Sequence, residues 1–359
     1  MRTVTGFRAF PRRASRHRLT PGRAAQAALL LAAGLALAPV SEAARAYVSN
    51  EDDGTVTVVD TQQLAALATL TVGKRPRGLA LSRDGKRLYV ALSGLPKCPP
   101  PMRDEDCARL PRDQEADGIA VIDTATLRPR ATLRGVSDPE RVDVSQDDHT
   151  LFVTEEDAAR LAVIDVAHAT VTTRIPVGRE PEGVRVSPDG HWVLVTSEEE
   201  NALAIIDARK RARLATASVG QRPRDVVISP DSRSAYVSGE ADASVYRVAL
   251  PSGAPATRLL QLRSAARPMG LALDAQAGRL YVSTGRGGSV AVIALADERL
   301  VSEITVGARP WGIALTEHGA KLLTANGSGA DLAVIDTRTL GVIGRVSTGH
   351  GSWGVVAEP

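Results

Sequence analysis

Residues Leu151–Gly190 read LFVTEEDAARLAVIDVAHATVTTRIPVGREPEGVRVSPDG. Four short apolar runs stand out: LFVT, RLAVIDV, TVTTRIPVG and EGVRVSP. In VTTRIPV and GVRVS apolar and polar residues alternate, the period-2 pattern of strands with one buried face. Turn chemistry separates the runs. S-P-D-G is a tight hairpin signal, and Asp165, five residues before Thr170, opens another turn.

The same unit recurs along the chain. The aromatic of its first run, or the residue in its place, falls at Tyr47, Tyr89, Phe152, Leu194, Tyr236, Tyr281 and Leu323, in steps of 42, 63, 42, 42, 45 and 42. A second column follows at Asp60, Asp123, Asp165, Asp207, Ala249, Ala294 and Asp336, and a third at Pro76, Pro139, Pro181, Pro223, Pro268, Pro310 and Ser352. Both columns keep the same spacing, with 21 extra residues in one copy and three in another. A fixed period of this size marks a repeat architecture. Four short antiparallel strands in each of seven units predict an all-β, seven-bladed β-propeller. An open stack of the same units would leave both end sheets with bare edges and would call for distinct caps, which the repeats do not show. The chain also ends on a P-x-G-type strand (Trp353 to Glu358), while the first unit begins one strand later (Ala46 to Asn50). The tail strand is therefore expected to complete the first blade and close the ring.

Composition agrees with many thin strands. Aromatics are 3% of the chain and hydrophobic residues 43%, so the core must be filled by Val, Leu, Ile and Ala. The first 43 residues read as an address label. Seven arginines precede or enter an Ala/Leu-rich run from Ala24 to Val40, and Ser41 and Ala43 offer the small residues of a cleavage site. This pattern predicts a secretory signal peptide over 1–43 and a propeller over 44–359, periplasmic or secreted, with no membrane span once the leader is removed. The leader accounts for +6 of the chain's net +3, leaving −3 on residues 44–359, so charge makes no case for nucleic acid. Two cysteines, Cys98 and Cys107, stand within an insertion over about 94–116, where an oxidising compartment favours a disulfide between them. Neither metal-ligand spacing nor a C-x-x-C-H haem motif is present in the sequence.

The stretches AYVSNEDDGTVTVVDT, VGKRPRGLALSRDGKRLYVA, PEGVRVSPDG and ARPWGIAL resemble the YVTN-repeat β-propeller family, and within it the YncE-like group. SNE, GREPEG, GQRPRD, LLTANG and SWGVV are similar to propellers associated with PQQ-dependent catabolism. The resemblance covers the chain beyond the leader. It implies a periplasmic seven-bladed propeller found alongside quinoprotein or cytochrome systems. The insertion departs from the family repeat. The repeat pattern speaks for fold, whereas function must be argued from a site.

Alternate loops of such a blade fall on two faces, and ligands favour one mouth of the channel. On the face carrying the Pro column, the residues after it are Arg77, Glu140, Glu182, Arg224, Met269, Trp311 and Trp353. Those before it are Arg75, Asp138, Glu180, Arg222, Arg267, Arg309 and Gly351. A further column, past the first strand, reads Glu51, Ser93, Glu156, Glu198, Glu240, Gly285 and Gly327. One sector is thus acidic, around Glu156, Glu182 and Glu198. The other is basic and aromatic: Trp311, Trp353, Arg309, Arg267, Arg222, Arg75 and Arg77. Guanidinium groups beside indole faces suit a planar anion, of which PQQ is one, or the acidic loop of a periplasmic protein partner. The competing structural expectation is that these arginines bridge to glutamates of neighbouring blades.

No catalytic residue is assigned. His149, His168, His191 and His318 fall on the opposite face, and only His350 approaches the mouth. The sequence therefore points to a monomeric, exported, non-catalytic binding or scaffold propeller with no resident cofactor. The alternatives are a lactonase-type hydrolase or lyase using charged mouth residues, and a haem-binding propeller.

Overall fold

A computed structural model describes residues 44–98, 102, 106, 109–316 and 319–358. The expected signal peptide, Cys107 and His318 lie outside the described residues. Among the described residues, twenty-eight strands form seven four-stranded antiparallel sheets. Blade 1 is built from residues 45–71, blade 2 from 76–133, blade 3 from 139–176 and blade 4 from 181–218. Blades 5, 6 and 7 span 223–261, 271–305 and 310–347.

The strand order within each blade places the Pro-led strand innermost and the most exposed strand outermost. The innermost strand of blade 1 is Ser352–Ala357, which pairs antiparallel with Arg45–Asn50 through Ala46↔Ala357, Tyr47↔Val356 and Val48↔Val355. The ends are also joined by the Tyr47 hydroxyl, which donates to Glu358 Oε1 at 2.7 Å, and by Glu358 N–H, which donates to the Arg45 carbonyl at 2.8 Å. The sheet edges at the seam are thereby paired, as the sequence predicted.

The core is seven apolar clusters, each lying between two adjacent sheets. Tyr47, Tyr89 and Tyr281 fill the clusters as fully buried rings among Val, Leu, Ile and Ala. A second tie runs through hydroxyls near the ends of the strands that follow the innermost ones. Ser49 Oγ donates to the Arg77 carbonyl of the next blade at 2.6 Å and accepts from Gly354 N–H at 2.9 Å. Thr154, Thr196, Ser238 and Ser283 donate in the same way to the carbonyls of Glu182, Arg224, Met269 and Trp311. Each such hydroxyl fixes the loop that carries the residue after the Pro column, so these bonds set the mouth's geometry.

Close approach of the inner strands explains the glycine of P-x-G. A Cβ on Gly312 would lie 2.7 Å from the Trp353 carbonyl oxygen, and one on Gly270 would lie 2.6 Å from that of Trp311. Two blades depart from the rule, with Arg141 and Asp225 in place of glycine.

The 21 extra residues fall between Arg87–Leu92 and Gly118–Asp123 of blade 2. Lys97 ties them to blade 1 through Asp52 at 2.5 Å and Glu51 at 3.2 Å, and Arg112 pairs with Asp117 at 2.8 Å and with Asp157. The expected Cys98–Cys107 bridge has one end outside the described residues.

Candidate functional site

The Pro-led loops converge on one mouth of the ring, and their charges sort into two populations. Arg77 is buried and surrounded: Nη1 meets Glu156 at 2.5 Å and Glu140, Nη2 lies 3.6 Å from Asp138, and Nε lies 3.7 Å from Glu51. Arg224 is held by Glu182, by Glu198 at 2.5 Å and by Glu240 at 2.7 Å. Arg75 donates two hydrogen bonds to Glu51 at 3.0 and 2.8 Å, and Arg222 meets Glu198 and, at 3.8 Å, Glu240. Three of the expected anion-binding arginines, Arg75, Arg77 and Arg222, are therefore engaged by carboxylates, and of the expected acidic residues Glu156 engages Arg77, Glu198 engages Arg222 and Arg224, and Glu182 engages Arg224.

Carboxylates outnumber the cations in this cluster, and burial makes full ionisation costly. Burial, reinforced by Glu182 alongside, pushes the Glu198 carboxyl up to about 8 against the pull of Arg224 and Arg222. Burial likewise raises Glu156 and Asp138, opposed by Arg77. Glu198, on Arg224, thus keeps its proton near neutrality.

Arg267 and Arg309 belong to the second population. Neither has an acidic partner among the described residues. The reason lies in the column past the first strand. Glu240 N–H donates to the Arg222 carbonyl at 3.0 Å, so its side chain rises beside Arg222. In blades 6 and 7 the corresponding residues are Gly285 and Gly327, the latter donating to the Arg309 carbonyl at 2.9 Å, and neither offers a carboxylate. Arg309 instead lies over the Trp311 ring, 5.2 Å from the centroid. Trp311 meets Trp353 edge-on, with centroids 5.7 Å apart at 74°. Trp353 is buried, Trp311 half-buried.

Two hollows flank Trp311. One, of about 270 Å³, runs past Trp353 and His350 to Glu51, Asp52 and Lys97 of the insertion. The other, of about 230 Å³, lies toward blades 5 and 6 among Arg222, Arg267, Arg286 and Arg309. Sequence reasoning missed Arg286, which stands on a 3-10 turn, Gly285–Gly287, found at this point of blade 6. It also missed Arg141, which is 3.6 Å from Asp225 and 4.9 Å from the Trp353 centroid. Loss of glycine from P-x-G was the signal for Arg141 and Asp225.

The opposite face carries His149, His168 and His191, each on an exposed hairpin beside Asp147, Asp165 or Asp189. At the mouth, His350 Nδ1 lies 3.2 Å from Asp53. Among the described residues no group of three His, Cys, Asp or Glu is placed to hold a metal ion.

Residues 108–187 match the model of the YNCE-like beta-propeller family, and with the seven-bladed ring this supports a YncE-like propeller family. No curated protein matches the chain significantly. Among solved structures, hydrazine synthase of Kuenenia stuttgartiensis is 20% identical, with a TM-score of 0.69 over 81% of this chain and 92% of that one. A functionally unknown protein of Desulfotomaculum acetoxidans is 17% identical, TM-score 0.70, over 87% and 98%. A candidate 6-phosphogluconolactonase of Bacteroides fragilis is 14% identical, TM-score 0.70, over 90% and 100%. At such identities the likeness is one of fold.

Proposed function

We propose that this YncE-like propeller is an exported, non-catalytic binding module, periplasmic and accessory to a quinoprotein or cytochrome system. It takes a small planar anion, such as PQQ, or an acidic segment of a protein partner at its charged mouth. One observation carries the reading. Arg267 and Arg309 stand without carboxylates beside Trp311, in a mouth whose other sequence-predicted arginines are all engaged. Guanidinium groups free of ion pairs against a half-buried indole are available for bidentate hydrogen bonding and stacking. The engaged arginines hold the loops in place.

The test is a thermal-shift and calorimetric comparison of the protein with its Trp311→Ala/Arg309→Ala variant, using PQQ, haem and sugar lactones as probes, beside a pull-down from periplasm. A ligand or partner that binds the parent and is lost by the variant supports the assignment. Unchanged affinity for every binder removes it, and lactone turnover would replace the binding role with hydrolysis.

A further inference from the structure

We infer that the hollow between blades 5 and 6 is a site for a small phosphate monoester, with Arg267, Arg286 and Arg309 receiving the phosphoryl dianion and Trp311 facing the organic body. The inference rests on the mouth being the binding face and adds the chemical class of the ligand.

Blade 6 breaks the regular pattern where the hollow opens. Its innermost strand begins at Leu271, whereas those of the other blades begin at the residue of the Pro column. Pro268–Gly270 thereby lie outside the strand, and this stretch is tethered by Arg267 N–H to the Thr284 carbonyl at 2.9 Å and Met269 N–H to the Ser283 carbonyl at 2.8 Å. Next to them, Gly285 turns with φ +49, and a Cβ there would meet the Arg267 carbonyl oxygen at 2.9 Å. The left-handed turn brings the exposed Arg286 to the rim beside Arg267.

The electrostatics select the ligand. The lining residues include one carboxylate, Glu240, and Arg224 Nε already occupies it at 2.7 Å. Burial alone would raise Glu240, but Arg224, Arg222 and Arg267 hold it below its ordinary value, so it stays ionised. That leaves three guanidinium groups, Arg267, Arg286 and Arg309, outside any ion pair among the described residues, with Arg267 acting on Glu240 only at longer range. A monocarboxylate would compensate one of them, whereas a phosphoryl dianion presents three oxygens and two charges to forked donors. The volume of about 230 Å³ is below the roughly 300–1,000 Å³ of drug-sized pockets and suits a head group with one ring.

Calorimetry with phenyl phosphate, inorganic phosphate and benzoate at fixed ionic strength tests the site, with tryptophan emission as a second readout. Phenyl phosphate is expected to bind more tightly than inorganic phosphate and about tenfold more tightly than benzoate. Arg286→Gln and Arg267→Gln should each weaken it by about tenfold. No binding of phenyl phosphate, equal affinity for benzoate, or indifference to both substitutions overturns the inference. If the site fails while Trp311→Ala/Arg309→Ala still abolishes another ligand or partner, the mouth remains the binding face. If that double variant is also without effect on any binder, the wider reading falls with it.

Discussion

Arg141 and Asp225 face each other near the axis of the ring, 3.6 Å apart, and they replace glycine in two of the seven P-x-G positions. Their neighbours Gly78 and Gly183 make this arrangement feasible. A Cβ on Gly78 would lie 2.7 Å from the Arg141 Cα, and one on Gly183 would lie 3.0 Å from the Asp225 Cα. Asp225 also accepts from Leu271 N–H at 3.1 Å, which anchors the shortened inner strand of blade 6. The pair thus connects the acidic half of the mouth to the irregular blade.

Arg141→Met leaves the buried Asp225 with Arg185, 3.9 Å away, as its remaining cation. A loss of about 3 kcal/mol is expected in urea denaturation, because one half of a buried pair is left uncompensated. Asp225→Asn combined with Arg141→Met should give a coupling energy of about 1–3 kcal/mol. Simple additivity would show that the two do not interact.

Stability should fall as pH rises through the neutral range. The Glu198 carboxyl goes from an ordinary 4.5 up to about 8 in the folded chain, so the fold binds its proton more tightly than the unfolded chain does. The contribution is fully present below about pH 4.5 and is lost as pH rises through about 8, with a slope of up to about 1 kcal/mol per pH unit. Asp138 and Glu156, also raised, act in the same direction. Urea midpoints at pH 5 and pH 8 measure the effect, and Glu198→Gln should flatten it. An unchanged slope in that variant would assign the proton elsewhere.

Two glycine substitutions separate packing from backbone freedom. Gly85 has φ +70 and open space around it, so Gly85→Ala costs about 1 kcal/mol. A Cβ on Gly312 would meet backbone of Ser352–Ala357 at 2.7 and 2.8 Å, so Gly312→Ala should cost about 3 kcal/mol. Equal losses would contradict close packing at the axis.

Removing residues 351–359 takes away the inner strand of blade 1 and the Glu358 partner of Tyr47. The truncated chain should lose cooperative unfolding and aggregate through the exposed edge, seen by circular dichroism and size exclusion. A monomeric, cooperatively folded product would show that closure is dispensable.

Thiol titration of the exported protein under denaturing conditions should find no free thiol until reductant is added, as expected for a Cys98–Cys107 bridge. Two thiols released without reductant would remove that expectation.

Much of the ring was readable along the chain. Blade number, strand count and closure follow from columns such as Tyr47 to Leu323, because strand alternation and turn residues act over a few positions. The division of the mouth was partly readable too. Glycine at 285 and 327, where four of the other five blades carry glutamate, is the signal in the sequence that separates Arg267 and Arg309 from the paired arginines, although the basic sector read from the columns grouped all five together. Arg286 was hidden, since it stands one residue past the compared column, on a 3-10 turn that blade 3 also forms at Glu156–Ala158 with Asp157 in its place. Arg141 and Asp225 were visible as missing glycines, although nothing local said that they meet.

By itself the sequence determined the repeat, the hydrophobic faces and the tail-to-head strand, because hydrogen bonding and burial within a sheet are set by short-range pattern. The tertiary structure decided which charges cancel. Arg77 meets Glu156 across 79 residues, and Arg224 meets Glu182 across 42. Ion pairing depends on distances of a few ångströms between different blades, and those distances exist only once the sheets have packed around the axis.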